Sequence, residues 1–174
     1  MNLIEQFKQI KTFVFDMDGV LTDGSVILLP GIEFVRTMNV KDGYAIQLAV
    51  KKGYQVVIIS GAVSKPAAER LEYLGVKNIF IKVKDKEDVL AQFILANNLK
   101  WEETLFMGDD IPDLDVMKLV GLPACPLDAV PEIKAVSKFI STFNGGKGCA
   151  REVIEKVLKL NDHWLTSSDT IAAL

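Results

Sequence analysis

The stretch TFVFDMDGVLTDG, residues 12–24, decides the fold. Its apolar run ends abruptly at Asp16, and Asp18 and Gly19 follow at once. A short continuous apolar run is typical of a strand buried on both faces of a parallel sheet. Ligands bind beyond the carboxyl ends of such strands. The stretch therefore predicts a buried strand that presents aspartates to a binding site.

Short apolar runs alternate with segments of helical period along the rest of the chain. The pattern predicts strands at 12–16, 54–60, 78–81, 104–108, 122–125 and 138–141, and helices at about 43–52, 66–74, 87–97, 112–120 and 152–160. This alternation predicts an α/β fold, with a mostly parallel sheet between two layers of helices. Two β-rich runs around Pro30-Gly31 instead predict a small hairpin over about 25–38.

The composition predicts a single cytoplasmic domain over residues 1–174. The chain is 49% hydrophobic and 25% charged, with a formal net charge of −3. This balance excludes a disordered chain and lacks the basic excess of nucleic-acid-binding proteins. No apolar run reaches the roughly 18 residues that a membrane span needs. His163 is the only histidine, which excludes multi-histidine metal sites, and the segment 163–174 is expected to be a loose or partner-docked tail.

Acidic and hydroxyl residues follow two further predicted strands. Ser60 and Gly61 end the second strand, and Asp109, Asp110 and Asp113 follow the fourth. Each piece alone is an ordinary turn or helix cap, but together they place several carboxylates and a hydroxyl at one edge of the sheet. Crowded carboxylates repel one another unless a cation neutralises them, and hard oxygen ligands suit Mg²⁺.

These residues carry a resemblance to the phosphatases of the haloacid dehalogenase (HAD) superfamily. The chain is similar to that superfamily in four motifs: DxDGVLTDG at 16–24, the hydroxyl of Ser60, Lys86 within KVKDKEDVL, and GDDxxD at 108–113. The resemblance implies a Rossmann-like core. Lys82 and Lys84 belong to the same charged run, and the register of the family favours Lys86.

The resemblance also implies the role of each residue. Asp16 would attack phosphorus as the nucleophile, and Asp18 would act as general acid and then as general base. Mg²⁺ would be held by Asp16, the carbonyl of Asp18 and Asp109. Ser60 and Lys86 would bind the phosphate oxygens. The two remaining aspartates of the fourth motif are expected to support these ligands indirectly or through water.

The spacing between the motifs leaves no room for a cap domain. A hairpin and one helix separate Asp16 from Ser60, and one helix and one strand separate Ser60 from Lys86. The chain resembles the capless 3-deoxy-D-manno-octulosonate (KDO) 8-phosphate phosphatases and their nononate and N-acylneuraminate 9-phosphate relatives. Three segments carry this likeness: MNVKDGYAIQLA at 38–49, GDDIPDLDVM at 108–117 and FNGGKGCAREVIEKVL at 143–158. The resemblance implies a homotetramer whose neighbouring subunits cover the site.

The same resemblance implies which residues meet the substrate. They are Lys41, Asp42, Gly61, Lys147 and Arg151, with the glycine-rich segment 145–148 as a mobile flap. Lys41 and Asp42 would lie near the substrate or at the contact between subunits, and Arg151 would pair with a substrate carboxylate or lie on the helix surface. One position departs from the pattern, since Ala62 stands where these relatives carry a charged residue. Ala62 makes no ionic contact with a sugar acid, so the identity of that acid stays open.

The predicted function is a Mg²⁺-dependent phosphomonoesterase that uses an aspartyl-phosphate intermediate. Its expected substrate is a phosphorylated 2-keto-3-deoxy sugar acid, KDO 8-phosphate first and a nononate or N-acylneuraminate 9-phosphate second. Two other functions remain open: a non-catalytic oligomeric partner with this fold, and a phosphotransferase or mutase. The full set of catalytic carboxylates argues against the first, and the lack of a cap to exclude water argues against the second.

Overall fold

The computed structural model describes residues 2–31 and 33–164. Its centre is a six-stranded, fully parallel sheet with the strand order β3-β2-β1-β4-β5-β6. The strands are β1 Thr12–Phe15, β2 Gln55–Ile59, β3 Asn78–Phe80, β4 Thr104–Met107, β5 Leu122–Cys125 and β6 Phe139–Ile140. The predicted α/β fold with a parallel sheet is confirmed.

Helices cover both faces of the sheet. They are α1 Leu3–Gln9, α2 Val40–Lys51, α3 Lys65–Tyr73, α4 Lys86–Ala96, α5 Leu114–Leu119, α6 Pro131–Val136 and α7 Cys149–Leu160. Successive side chains of a strand point to opposite faces, so Phe13 and Phe15 pack into one core with α1, α2, α3 and α7. Val14 packs into the second core with α4, α5 and α6. All four side chains of β1 are buried, which explains its uninterrupted apolar pattern.

The segment between β1 and α2 forms a short hairpin. Ile27 and Val35 face each other as an antiparallel pair and exchange both backbone hydrogen bonds, at 3.0 and 3.2 Å. Six apolar side chains are exposed among the described residues of the hairpin: Val26, Ile27, Leu28, Leu29, Phe34 and Val35. No cap domain covers the sheet edge in the part of the chain that the structure describes.

Some element boundaries differ from the sequence pattern because local caps and tertiary packing decide them. Helix α1 was not predicted from the pattern; Asn2 and Glu5 form a reciprocal capping box at its start. Helix α2 begins at Val40 instead of residue 43 because the side chain of Asn39 accepts the amide of Lys41. The short helix α6 was also not predicted. The expected loose tail lies almost entirely outside the described residues.

The strand order puts the predicted site at a topological switch point. Strand β1 lies between β2 and β4, and the chain leaves it on one side for β2 and β3 and returns on the other side as β4. Open α/β sheets bind ligands in the crevice at such a point. The described helices include none that is long and apolar enough to cross a membrane.

Candidate active site

The loop after β1 is shaped by Gly19. This residue has φ of 86°, and a Cβ built on it would lie 2.0 Å from Oδ2 of Asp109. A side chain there would collide with the carboxylate, and the positive φ would strain it as well. Gly19 therefore lets the loop after β1 and the loop after β4 approach each other, which brings Asp16 and Asp109 into one site.

Three carboxylates form the acidic cluster of the site. Oxygens of Asp16, Asp109 and Asp113 lie within 4.8 Å of one another. Burial, followed by the charge of Asp113, raises the pKa of Asp16 to about 6. Burial, followed by the charges of Asp16 and Asp113, raises the pKa of Asp109 to about 7. The positive charge that lies near Asp16 and Asp109 therefore does not offset the effects that raise their pKa values.

Lys86 supplies the positive charge that the protein itself brings to this cluster. Its Nζ lies 2.8 Å from Oδ1 of Asp16 and 2.6 Å from Oδ1 of Asp113, and the residue is buried. Burial alone would lower the pKa of Lys86, but the two carboxylates outweigh burial and raise it. Lys86 begins helix α4, where Asp85 caps the helix by accepting the amide of Asp88. The ammonium is thus fixed at the helix start and points into the site.

The donor set fits a divalent cation. Oδ1 of Asp109 is buried and has no hydrogen-bond partner, which is a costly state for a carboxylate oxygen. Both oxygens of Asp113 are already engaged, Oδ1 by Lys86 and Oδ2 by the amide of Asp109 at 3.1 Å. Asp113 is therefore placed to orient the cluster, whereas Asp16 and Asp109 retain the capacity to bind a metal with hard oxygen ligands.

A cavity of about 480 Å³ opens above the cluster. Asp16, Asp18, Ser60, Gly61, Lys86 and Asp109 all line it. Ser60 is 1% exposed, and its Oγ accepts the amide of Ala62 at 3.2 Å. The hydroxyl proton of Ser60 remains available to donate, as a phosphate-binding hydroxyl requires. The structure thus brings together the residues that the motifs predicted for the chemistry. Their individual roles stay predictions.

The four other residues predicted to meet the substrate lie elsewhere in this chain. Lys41, Lys147 and Arg151 line a second cavity of about 560 Å³. Arg151 is paired with Glu155 at 3.0 Å, and Lys147 lies 3.4 Å from Asp23.

Asp42 has a structural position instead. It is 2% exposed, and its Oδ1 accepts the amide of Arg151 at 2.7 Å, within the first turn of α7. Within one chain, therefore, only Gly61 of the predicted substrate-binding residues lines the catalytic cavity.

The glycine-rich segment predicted as a mobile flap is packed against the loop after β1. A Cβ on Gly145 would lie 1.9 Å from the carbonyl oxygen of Gly19, and the amide of Gly146 donates to the carbonyl of Val20 at 2.8 Å. The amide of Gly145 also donates to Asp128 at 2.9 Å. The glycines here permit close backbone contact, and the mobility of this segment stays a prediction.

The sequence motifs did not predict one charged contact in the site. Arg36, on the hairpin, donates to both oxygens of Asp18, with Nε 2.8 Å from Oδ1 and Nη2 3.0 Å from Oδ2. The sequence offers only a weak signal for this contact, a single arginine that follows the apolar residues of the hairpin. The periodicity of the segment does not reveal that the hairpin folds back over the end of β1.

The comparisons with known proteins agree with this geometry. The curated KDO 8-phosphate phosphatase KdsC of Yersinia pestis is 29% identical to the chain, over 92% of the chain and 86% of that protein. A Legionella pneumophila structure assigned to the HAD hydrolases, subfamily III A, is 30% identical with a TM-score of 0.88, over 92% of this chain and 88% of that one. The chain belongs to the HAD superfamily.

A third relative resembles this HAD chain as closely. The KDO 8-phosphate phosphatase of Moraxella catarrhalis, crystallised with a magnesium ion, a phosphate ion and KDO, is 30% identical with a TM-score of 0.88. The match covers 92% of each chain. No protein-family model matches the sequence. Together with the site, these relatives identify a HAD phosphoric monoester hydrolase whose carboxylate cluster fits a divalent metal.

We expect Mg²⁺ to stabilise this HAD phosphatase more strongly at pH 8 than at pH 5. The pKa values of Asp16 and Asp109 are raised in the folded chain, to about 6 and about 7. Their ionisation therefore opposes folding: this cost is absent below the ordinary value of 3.8, grows as the pH rises toward the raised values, and is fully present above them. A bound cation removes this cost, so the metal-induced rise in Tm should increase over this pH range.

Thermal unfolding of the EDTA-treated protein with and without MgCl₂ measures the effect. NaCl at matched ionic strength is the control. A Tm rise that is independent of pH would contradict a site built from these two carboxylates.

Proposed function

We propose that the chain is a Mg²⁺-dependent phosphatase that hydrolyses a phosphorylated 2-keto-3-deoxy sugar acid, with KDO 8-phosphate as its first substrate. The observation that supports this most strongly is the convergence of Asp16, Asp18, Lys86 and Asp109 on one open cavity. The relatives named KDO 8-phosphate phosphatases match more than nine-tenths of the chain.

Asp16 is the nucleophile of the proposed reaction. Its carboxylate attacks phosphorus, the bond between phosphorus and the sugar oxygen breaks, and an aspartyl-phosphate forms. Lys86, 2.8 Å from Oδ1 of Asp16, holds the carboxylate in place and offsets negative charge as the phosphate approaches. Ser60 donates its hydroxyl proton to a phosphate oxygen.

Asp18 transfers the protons in both steps. It protonates the leaving sugar oxygen as the first bond breaks, and its carboxylate then accepts a proton from the water that attacks the aspartyl-phosphate. Inorganic phosphate and free Asp16 result. The described residues of one chain form no cap over the cavity, so water reaches the intermediate and hydrolysis prevails over transfer to another acceptor.

Asp16, Asp109 and the backbone carbonyl of Asp18 are the proposed holders of Mg²⁺. When bound, the cation neutralises the carboxylate cluster and the phosphate charge, and it orients the nucleophile toward phosphorus. Asp113 supports this arrangement without direct ligation, because its two oxygens are held by Lys86 and by the amide of Asp109.

A panel of phosphate esters tests the proposed substrate. Phosphate release is measured with KDO 8-phosphate, a nononate 9-phosphate, N-acetylneuraminate 9-phosphate and p-nitrophenyl phosphate, each with MgCl₂ and with EDTA. We expect the highest kcat/KM for KDO 8-phosphate and loss of activity in EDTA. A higher kcat/KM for a 9-phosphate would assign the alternative substrate, which Ala62 leaves open. No release from any ester would point to a non-catalytic partner.

We also propose that the chain forms a homotetramer through its hairpins. The exposed fractions of Leu28 and Phe34 are 67% and 55%, and the six exposed apolar residues of the hairpin are contiguous in sequence on its two arms. A patch of this kind is a liability on a monomer and is typical of an interaction surface. Neighbouring subunits could then bring further residues to the open cavity.

Analytical ultracentrifugation at micromolar concentration tests this assembly, with a mass near four times 19.2 kDa expected. Leu28→Asp combined with Phe34→Asp should dissociate the tetramer, because each charge would be buried without a partner in the interface. Leu95→Asp is the matched control, since Leu95 is 84% exposed on α4 and remote from the hairpin. A monomeric wild-type chain would rule the assembly out.

A further inference from the structure

We propose that Arg36 is a positioning residue for the acid–base carboxylate of Asp18. This inference deepens the proposed function, because it rests on the role of Asp18 as the group that transfers protons. It assigns the hairpin a part in the chemistry in addition to any part in assembly.

The contact between Arg36 and Asp18 is a two-point ion pair. Nε of Arg36 lies 2.8 Å from Oδ1 of Asp18, and Nη2 lies 3.0 Å from Oδ2. The planar fork of a guanidinium matches both oxygens of a carboxylate, so this geometry fixes the plane of the carboxylate as well as its position. Thr22 adds a third donor, with its Oγ1 3.1 Å from Oδ1 of Asp18.

The pair is shielded from solvent on the side of the arginine. The side chain of Arg36 is 6% exposed, whereas that of Asp18 is 30% exposed and lines the catalytic cavity. Surface ion pairs contribute little because water competes for both partners. A guanidinium buried behind a carboxylate that faces the cavity has less competition, and it restrains the carboxylate from behind while leaving its open side to the substrate.

The hairpin determines where the guanidinium sits. Nη1 of Arg36 donates to the carbonyl oxygen of Phe34 at 3.0 Å, two residues earlier in the same arm. The neighbouring residue, Val35, is held to Ile27 of the other arm by two backbone hydrogen bonds. All three guanidinium contacts, two to Asp18 and one to Phe34, thus link the carboxylate directly to the backbone of the hairpin.

This arrangement suits a group that gives up a proton and then takes one back. While one oxygen of Asp18 exchanges a proton with the leaving group or with water, the other oxygen stays in contact with Arg36. The carboxyl group therefore keeps its place through both steps. Loss of positioning by about 1 Å costs on the order of 100-fold in rate, which sets the scale of the effect expected here.

Two aryl esters of similar shape test the role of Arg36. p-Nitrophenyl phosphate has a good leaving group that needs little protonation, whereas phenyl phosphate has a poorer one. Under single-turnover conditions with enzyme in excess, release of the phenol reports the first step alone. We expect Arg36→Gln to slow release from phenyl phosphate by about 100-fold and from p-nitrophenyl phosphate by less than about 10-fold. The half-saturating enzyme concentration should change little for either ester.

Three further variants make the test specific. Arg36→Lys should recover at least about 10-fold of the lost rate on phenyl phosphate, because an ammonium can keep one contact with Asp18. If Arg36 acts through the carboxylate of Asp18, adding Arg36→Gln to an Asp18→Asn variant should cause no further loss of rate. Thr37→Ala, an exposed change in the same arm, is the control for disturbance of the hairpin and should leave both rates unchanged.

Equal losses on the two esters, or an additional loss on the Asp18→Asn background, would show that Arg36 does not act through Asp18. If the wild-type protein hydrolyses both aryl esters and the variants behave in this way, the proposed role of Arg36 is wrong and the proposed function stands. If the wild-type protein with Mg²⁺ releases phosphate neither from these aryl esters nor from the sugar-acid phosphates, the proposed function fails and the role of Arg36 fails with it.

Discussion

Replacing Asp16 with asparagine is expected to lower kcat by about 10⁴-fold or more, because an amide cannot form the aspartyl-phosphate. The fold should survive the change. Burial and the charge of Asp113 raise the pKa of Asp16 to about 6, so its negative charge at pH 7.5 opposes folding in the metal-free chain. The metal-free Asn variant should therefore have a Tm at least equal to that of the wild type.

Asp162→Asn is the matched control for this substitution. Asp162 is exposed and has φ of 57°, a conformation that asparagine tolerates well. Its kcat and Tm should both equal the wild-type values. Phosphate release with MgCl₂ and thermal unfolding in EDTA measure the two properties. Full turnover by Asp16→Asn would exclude Asp16 as the nucleophile.

Replacing Lys86 with methionine is expected to damage both stability and catalysis. The change removes a buried ammonium that lies within 2.8 Å of Asp16 and of Asp113, and it leaves these carboxylates without their protein-borne counter-charge. Breaking a buried ion pair on one side costs about 3–5 kcal/mol in free energy of unfolding. Loss of a group that stabilises charge in the transition state should lower kcat by about 100- to 1,000-fold.

Urea unfolding at pH 7.5 in EDTA measures the first effect. Mg²⁺ should recover part of the lost stability in the Met variant, because it supplies positive charge to the same carboxylates. Lys82→Met is the control, since Lys82 is an exposed lysine of the same charged run. Its free energy of unfolding should change by less than about 0.5 kcal/mol. Equal effects of the two substitutions would contradict the central position of Lys86.

The fold and the catalytic centre were predictable because both depend on short sequence segments. Strands that are buried on both faces appear in the sequence as continuous apolar runs. The residues that follow such parallel strands lie at one edge of the sheet, and this position does not depend on the helices between the strands. Asp16, Ser60 and Asp109 follow such strands and line one cavity. Lys86 lines the same cavity, because it is the first residue of α4 and the first turn of this helix lies at the same edge of the sheet.

Contacts between distant loops were not predictable in the same way. Arg36 reaches Asp18 only because the hairpin folds over the end of β1, and no spacing rule in the chain reports that path. Asp42 was predicted to meet the substrate, yet in this chain it is buried and accepts the amide of Arg151, more than a hundred residues away. Such positions depend on how α2 and α7 pack against each other, which periodicity does not specify.

The packing of Gly145 and Gly146 against the loop after β1 links two segments that lie far apart in the sequence. The loop that carries Asp16 and Asp18 is made early in synthesis, but the backbone that packs on it arrives only with residues 145 and 146. A nascent chain shorter than that holds the catalytic carboxylates without the surface that closes their loop. The loop that carries Asp16 and Asp18 therefore has the packing seen in the structure only when residues 145 and 146 are also present.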